Sequence, residues 1–577
     1  MARPGRALVF VWLATIAVFA PALRGDYVDD DLDLLGVSPA FAGLGHLADA
    51  IRTPFWGYDL GYWRPLTSAL MCIGHVLGNG HPWPTHLAAL LAHLAATTLV
   101  FAIVRRVGAP EFAALAAALF ALHPCQVEAV AWVAALGDPL SGAATLLAIL
   151  GWLRWRERNG AGLPLLAWIG VILAIAAKES GVVAIGWLAA IDVATRTHAP
   201  LPRQRRVVAW RGILVVLAAY YVLRVLVFGD AAAGFGRGAL DTGFHGTERV
   251  TLGAFLGTSF VVLPTGWLDF TPYRWMPASA ATAWDVLPWR AVMFVLAVGA
   301  MTTAMRLHRE LAITCGLGLA ATIAPAVLLP TALGPWPLVD RYLYVGMFAF
   351  AGILLGCGGL RPRLGIAFVV VCAVVSALQI PKWRTQDAVV ARALVDTPRH
   401  PESHFMAGNA ARAAAEHEPQ DAAHRAAIEA HCRRALEHYR HARALLASPL
   451  YAAAHLERVL GPGVETGSAL AELHEGRRSP ADIGRTLDAA TRRFPAAPEL
   501  QLTRGMVAAI AGDVATAEAA WLRTLELEPT NDQAACNLGR LYAESRRFDA
   551  ARERLQQALS LNPGNTVARA ILDRLPR

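Results

Sequence analysis

The chain has 577 residues, of which 55% are hydrophobic and only 17% are charged, and its mean hydropathy is +0.41. These values exclude an ordinary soluble protein of this size and are typical of a protein that crosses a membrane several times. The formal net charge of +8 comes largely from arginines in loops, which favours membrane orientation over nucleic-acid binding. Seven scattered cysteines without paired spacing predict small buried side chains rather than disulfides or a metal site.

Apolar residues are distributed unevenly along the chain. Residues 1–384 contain a series of long apolar runs, whereas residues 385–577 are rich in Ala, Arg, Glu and His and contain no run long enough to span a bilayer. We therefore predict an all-α protein with two parts. These are a multi-span membrane domain over residues 1–384 and an external helical domain over residues 385–577.

The first apolar run, residues 7–23, follows Arg3 and Arg6, so the positive-inside rule predicts a cytoplasmic N-terminus. Because acidic residues follow this run and no small-residue cleavage site precedes them, we predict an uncleaved span rather than a signal peptide. An external loop over 24–83, with a helix near 66–78, leads to the later spans. These are predicted at residues 84–104, 111–122, 139–153, 162–177, 181–195, 209–228, 289–306, 311–329, 341–359 and 364–381.

Residues 250–268 are also apolar enough to cross once. A crossing there would place the basic segments MRLHRE and RPR on the outside, against the charge rule. We therefore predict an interfacial or re-entrant segment within a large external loop over 229–288. The resulting topology has eleven spans, with the N-terminus inside and the C-terminus outside.

The C-terminal part contains a sequence repeat. Residues of matching character recur 34 positions apart, namely Gly505 and Gly539, Ala517 and Ala551, Trp521 and Leu555, and Pro529 and Pro563. This is the tetratricopeptide pattern, in which small residues lie where two helices cross closely and a proline ends the second helix. We predict repeats at 498–531 and 532–565, and further helical pairs within 400–495, because two repeats alone are rarely stable.

Three adjacent carboxylates, Asp29, Asp30 and Asp31, directly follow the first span. They cannot enter hydrocarbon and must face water or an aqueous cavity. One interpretation is a solvated acidic turn. The other is a general base whose pKa is raised by burial and by its neighbours. In an extended segment the side chains alternate, so at most two of the three would point the same way.

The predicted topology puts further ionisable residues on the same external side, which favours a shared site over separate solvated caps. His123 and Glu128 could orient one another or the acidic loop, or His123 could simply end a helix before Pro124. The candidates for binding a phosphate group at the membrane are Lys178, Arg224 and Arg341, although Arg224 could instead extend to the interface. The candidates for positioning an acceptor or sugar are Asp29, Arg64, His123, Glu179 and Asp340.

A set of motifs occurs in a characteristic order: DYVDDDLDLL, FWGYDLGYWRPLTSALM, HPWPTHLAALLAHL, ALHPCQVEAVAWVAALGDPLSG, AKESGVV, YYVLRVLVFG, LPTGWLDF and DRYLYVG. With the repeat tail, they resemble the transmembrane and tetratricopeptide repeat-containing O-mannosyltransferases, which are glycosyltransferases of the GT-C type. The resemblance covers residues 24–385 and the repeats. It implies inverting transfer of a sugar, expected to be mannose, from a polyprenyl-phosphate donor to an acceptor hydroxyl.

The resemblance also implies roles for individual residues. The family's acidic pair corresponds to Asp30 and Asp31. Because the triplet has one extra aspartate, a register shifted by one residue is the alternative. The family's HP-x-x-x-E element corresponds to His123, Pro124 and Glu128, and its Lys-Glu element to Lys178 and Glu179.

The implied mechanism uses the carboxylates and the cations differently. Asp30 would orient or deprotonate the acceptor, and Asp31 and Glu128 would position acceptor or sugar. Lys178, Arg224 and Arg341 would neutralise the phosphate leaving group. We expect no metal and no cofactor.

The chain contains no Asn-x-Ser/Thr sequon, and its composition suggests a GC-rich bacterial genome. We therefore expect an inner-membrane protein with periplasmic repeats, membrane lipid around its spans and a protein acceptor at the repeats. The first alternative is transfer to a lipid or an envelope glycan, and the second is a non-catalytic scaffold that uses only the repeats. A transporter is disfavoured, because the membrane half shows neither a clear internal repeat nor clear charges within its spans.

Overall fold

The structure is a computed structural model that describes residues 4–38, 41, 43–56, 61–107, 112–196, 199–231, 299–328, 340–356, 362–396, 398–419, 421–447, 456–562 and 564–576. Over these ranges the regular elements are helices, and no strand occurs among them. The predicted all-α fold is therefore confirmed. The chain forms two compact units, Met1–Arg392 and Ala393–Arg577.

The first unit is built mainly from apolar helices. In chain order they are α1 (Pro4–Phe19), α2 (Asp30–Val37), α3 (Leu47–Arg52), α4 (Pro65–Leu77), α5 (Trp83–Arg106), α6 (Ala113–Leu122), α7 (Val127–Ala131), α8 (Gly137–Glu157), α9 (Leu165–Ala177), α10 (Val183–Ala194), α11 (Arg203–Phe228), α12 (Arg309–Leu328), α13 (Gly346–Gly356), α14 (Pro362–Gln379) and α15 (Gln386–Asp396). Short 3-10 turns join several of them.

Several of these helices have the length and composition of membrane spans. Within the described residues, five qualify: Gly5–Arg24, Trp83–Arg106, Ala134–Glu157, Arg203–Phe228 and Arg363–Trp383. The bent pair Ala113–Leu122 and Pro124–Ala131 would make a sixth. The chain is thus a multi-pass membrane protein. The segment 250–268 and most of the predicted span 289–306 lie outside the described residues, so the count of eleven spans stays a prediction.

The break between α6 and α7 has a local cause. His123 directly precedes Pro124, and a proline disfavours the helical conformation in the residue before it. His123 accordingly has extended backbone angles (φ −71°, ψ 137°), which end α6. The chain then continues through short helical turns as far as Gly137, and this stretch is buried along its whole length. A segment that the sequence places at an external membrane border is therefore part of the packed interior of the first unit.

The second unit consists of helices in antiparallel succession: α16 (Pro401–His417), α17 (Arg425–Leu446), α18 (Leu456–Glu475), α19 (Pro480–Arg493), α20 (Pro498–Ile510), α21 (Val514–Leu527), α22 (Asp532–Glu544), α23 (Phe548–Leu561) and α24 (Thr566–Arg574). The predicted repeat positions are where the helices cross. A Cβ atom added at Gly539 would lie 2.6 Å from Leu555 Cγ. Trp521 is buried against Gly505, and its indole N–H donates to the Leu502 carbonyl at 3.1 Å.

Candidate functional site

The acidic triplet forms a tight turn followed by a helix. The Asp31 N–H donates to the Val28 carbonyl at 3.0 Å, and α2 begins at Asp30. Asp29 lies at φ +55° and ψ −128°. This is a conformation that glycine adopts freely and that costs another residue about 1–3 kcal/mol. The extended segment with alternating side chains was therefore the wrong expectation, because the chain reverses direction at Asp29.

Asp31 is the most deeply buried member of the triplet. It is fully buried, and its carboxylate accepts from the Val28 N–H at 3.0 Å and from the Ala134 N–H at 2.6 Å. Burial raises the pKa of Asp31 well above its usual value, and the charges of Asp30 and Asp29 act in the same direction, while the two backbone N–H groups oppose them. Asp31 thus fastens the turn to the buried stretch that follows α6.

Asp29 and Asp30 are only partly buried. The backbone N–H of Asp29 donates to the side-chain Oε1 of Gln386 at 2.8 Å, and the N–H of Asp26 donates to the Arg384 carbonyl at 2.8 Å. The segment 384–386 therefore holds the turn at two points.

A first ion pair lies beside the turn. Glu128 is buried, and its carboxylate binds the Arg341 guanidinium and also accepts from the Arg341 backbone N–H at 3.2 Å. His123, which the sequence paired with Glu128, instead accepts from the Cys125 N–H at 3.2 Å through Nδ1. It also meets the Phe350 ring edge-on. His123 thus lies at the C-terminal end of α6, directly before Pro124, and its role in positioning an acceptor or sugar stays a prediction.

Two more ion pairs complete the set. Lys178 Nζ lies 2.6 and 2.7 Å from the two oxygens of Asp138, and both side chains are buried. Arg64 Nε lies 2.9 Å from Glu179, which also accepts from the Trp63 N–H at 2.7 Å. We call the three pairs Glu128–Arg341, Asp138–Lys178 and Glu179–Arg64 the charged cluster.

Aromatic rings connect two of the three pairs to each other and one of them to the acidic turn. The Tyr342 ring centroid lies 5.1 Å from Lys178 Nζ and 5.3 Å from Arg341 Cζ. The Trp132 ring lies 4.8 Å from Arg341 Cζ, and its indole N–H donates to the Val28 carbonyl at 3.2 Å. These contacts place two cations against one tyrosine ring and bring one of them, Arg341, next to the turn.

The charges of the turn and of the charged cluster act on one another. Burial disfavours the charge on Arg341, but Glu128 and, more weakly, Tyr342, Asp138 and Asp30 outweigh it, so the pKa of Arg341 is raised. For Lys178, burial has the largest effect on the pKa and lowers it, and the nearby charges of Arg64 and Arg341 act in the same direction. Together they lower the pKa of Lys178 to about 8 despite Asp138.

Arg224 lies near the C-terminal end of the apolar helix α11, four residues before Phe228, and is fully buried. Its guanidinium donates to the Gly61 carbonyl at 2.7 Å and to the Tyr220 hydroxyl at 3.3 Å. These contacts hold it inside the protein instead of letting it extend to the membrane interface. The side chain of Asp340 lies outside the described residues.

Three residues of the site were not singled out from the sequence, namely Asp138, Tyr342 and Trp132. Asp138 directly precedes the span predicted at residues 139–153 and was therefore assigned to an external loop. Nothing in the sequence pattern set the two aromatic residues apart. No group of three or more metal-ligating side chains occurs in the part of the chain that the structure describes.

Comparisons with known proteins agree with both parts of the chain. The tetratricopeptide repeat family model matches residues 533–565. Protein O-mannosyl-transferase Tmtc2 of Drosophila melanogaster is 31% identical over 229 residues, which cover 37% of this chain and 24% of that protein. The resemblance read from the motifs is confirmed.

Other relatives carry the same description. Protein O-mannosyl-transferase TMTC4 of Homo sapiens is 31% identical over 219 residues, covering 33% of this chain and 29% of the relative. Protein O-mannosyl-transferase F38B6.6 of Caenorhabditis elegans is 23% identical over 431 residues, covering 70% of this chain and 59% of the relative. The chain spans less than a third of the length of the Drosophila and human relatives.

Proposed function

We propose that this protein is a membrane glycosyltransferase that moves mannose from a polyprenyl-phosphate donor to a hydroxyl group of a protein acceptor. The observation that carries the proposal is the meeting of the acidic turn with the charged cluster, through Trp132 and Arg341. A transfer of this kind needs a carboxylate for the acceptor and cations for the departing phosphate, side by side. The names of the relatives support the sugar and the acceptor class.

Asp30 is the base in this proposal. It takes the proton of the acceptor hydroxyl, whose oxygen attacks the anomeric carbon. The bond between that carbon and the phosphate oxygen breaks, and the electron pair leaves with the phosphate, so the configuration inverts. Asp31 is occupied by two backbone N–H groups and therefore contributes by fixing the turn that carries Asp30.

Lys178 and Arg341 neutralise the leaving phosphate. Both lie against the Tyr342 ring, so an anion near that ring would meet two positive charges. Glu128 and Asp138 keep these cations compensated when no donor is bound. Arg64 and Glu179 position the sugar or acceptor. Arg224 supports the loop at Gly61. No step in this mechanism calls for a metal or a cofactor.

The protein resides, in this proposal, in the inner membrane of a bacterium. The N-terminus is cytoplasmic, and the transfer site and repeats are periplasmic, because the arginine-rich loops alternate with the acidic ones. The repeats would supply a concave surface for the protein acceptor.

Replacement of Asp30 by Asn tests the proposal, because it keeps the shape of the side chain and removes the base. We expect transfer of labelled mannose from polyprenyl phosphate to envelope proteins to fall about 10²–10⁴-fold, the range typical of a lost general base. The matched control is Asp26→Asn, since Asp26 is exposed and contributes to the turn through its backbone. Membrane insertion should be normal in both variants.

The outcomes separate the alternatives. Label that enters lipid or envelope glycan instead of protein would show that the acceptor is different. Wild-type transfer in Asp30→Asn, Asp29→Asn and Asp31→Asn alike would reduce the turn to a solvated cap and leave the scaffold as the better interpretation. Loss of transfer in Asp29→Asn alone would mean that the base is Asp29 instead of Asp30, with the mechanism otherwise unchanged.

A further inference from the structure

The conformation of Asp29 requires an external support. Of the described residues other than glycine, only four have positive φ, and Asp29 is the one at the acidic turn. An L-amino acid remains in such a conformation only where its surroundings hold it there. The turn's own hydrogen bond, from Asp31 N–H to Val28 O, leaves the Asp29 N–H pointing away from the turn.

Gln386 supplies part of this support from 357 positions along the chain, and the Trp132 indole N–H, which donates to the Val28 carbonyl of the same peptide group, supplies another part. The Gln386 Oε1 accepts from the Asp29 N–H at 2.8 Å. Gln386 is itself fixed as the first residue of α15, because the Thr385 hydroxyl accepts from the Ala388 N–H at 3.2 Å and so caps that helix. The Asp26 N–H bond to the Arg384 carbonyl anchors the other end of the turn to the same segment.

The hydrogen bond has a consequence for Asp30. The direction of the Asp29 N–H sets the plane of the peptide group between Val28 and Asp29, and therefore the direction in which α2 starts. If Asp29 relaxed to negative φ, that peptide group would turn and the Asp30 carboxylate would move relative to Arg341. A shift of 1 Å in a reacting group is enough to cost about 10²-fold in rate.

We propose that Gln386 is a positioning residue for sugar transfer, acting through the main chain of Asp29 to place the Asp30 carboxylate. This proposal rests on the glycosyltransferase function proposed above. In this proposal the Gln386 side chain needs only an oxygen atom that accepts the hydrogen bond from the Asp29 N–H. The proposal also gives Asp29 a backbone role in addition to any role of its carboxylate.

Two substitutions of similar length distinguish the hydrogen bond from simple packing. Gln386→Met keeps the length of the side chain and removes the acceptor, so kcat should fall about tenfold while KM for the polyprenyl donor changes less than twofold. Gln386→Glu keeps an acceptor oxygen and should recover most of the loss. Equal kcat values for the Met and Glu variants, or wild-type kcat for Gln386→Met, would overturn the proposal. Asp387→Ala, at the exposed neighbouring position, is the control.

A double variant tests the connection with backbone strain. Glycine at position 29 adopts positive φ without cost, so the turn no longer depends on Gln386. The loss caused by Gln386→Met should therefore shrink from about tenfold to about twofold when it is measured in an Asp29→Gly background. An unchanged tenfold loss in that background would show that Gln386 acts by another route.

A measurement that does not involve transfer separates this proposal from the function on which it rests. Amide hydrogen exchange of the detergent-solubilised full chain should be faster over residues 25–34 in Gln386→Met, and unchanged in Gln386→Glu and Asp387→Ala. If the wild type transferred no sugar but showed this pattern, the function would be wrong while Gln386 would still hold the turn. Unchanged exchange in Gln386→Met would refute the structural basis of the proposal.

Discussion

The repeat tail and the charged cluster are held together by contacts of very different sequence separation. In the tail, Gly505 meets Trp521 and Gly539 meets Leu555, in each case between neighbouring helices of one repeat. In the charged cluster the paired residues are 40, 115 and 213 positions apart, and at the acidic turn Asp29 and Gln386 are 357 positions apart. A local repeat can be read from spacing, whereas a site assembled from distant segments depends on the complete fold of the first unit.

The largest effect is expected in the tail, where one buried ring fills the crossing of two helices. Trp521→Ala removes a fully buried side chain and should lower the free energy of unfolding of the repeats by about 3–5 kcal/mol. Thermal unfolding followed by circular dichroism measures this loss. Transfer to a short peptide acceptor should change less than twofold, and a loss as large as that of Asp30→Asn would contradict the independence of the two regions. Trp83→Ala, at a half-exposed indole, is the control for tryptophan loss.

A smaller effect is expected in the charged cluster when the charge is kept and its geometry is changed. Arg341→Lys keeps the charge but loses the planar guanidinium that binds Glu128 and would meet the phosphate, so kcat/KM for the donor should fall about 10–100-fold. Arg341→Ala should be worse, because it leaves Glu128 buried without its partner. Arg52→Lys, at an exposed position, is the matched control. Wild-type donor affinity in both Arg341 variants would remove this arginine from the site.

The smallest effect is a change in pH dependence. Because burial lowers the pKa of Lys178 to about 8, the ammonium is charged below that pH and loses its proton as the pH rises through it. Donor binding should therefore weaken by up to about tenfold per pH unit above pH 8. In Lys178→Arg the guanidinium stays charged, and this alkaline decline should disappear from a profile of 1/KM against pH. A decline of the same shape in Lys178→Arg would assign it to a different group.

The sequence predicted what depends on periodicity. Hydropathy located α5, α11 and α14, and the recurrence of Pro529 and Pro563 located the repeats, because apolar faces and helix ends leave local signals. The sequence also identified Glu128, Lys178 and Arg341 as candidate site residues, because they are ionisable side chains next to predicted membrane spans. The identity of their partners was not predictable, since an ion pair between residues 40 or more positions apart leaves no periodic trace.

Two features of the acidic turn also depend on tertiary contacts and could not be predicted from the sequence. The positive φ of Asp29 is imposed by tertiary contacts, and a sequence with aspartate instead of glycine gives no reason to expect it. Asp31, as one of three identical neighbours, could not be distinguished as the buried member until Ala134 and Val28 were found to bind it.

The pairing of Glu128 with Arg341 sets an order for the biosynthesis of the protein. The two residues are 213 positions apart, and at a typical translation rate of about 5–20 residues per second the ribosome needs about 10–40 s to proceed from one to the other. Throughout that interval the carboxylate exists in the nascent chain without the guanidinium that will compensate it. Because an uncompensated charge is costly in a bilayer, the segment that follows α6 must wait in a hydrated or protonated state until the later helices have been inserted.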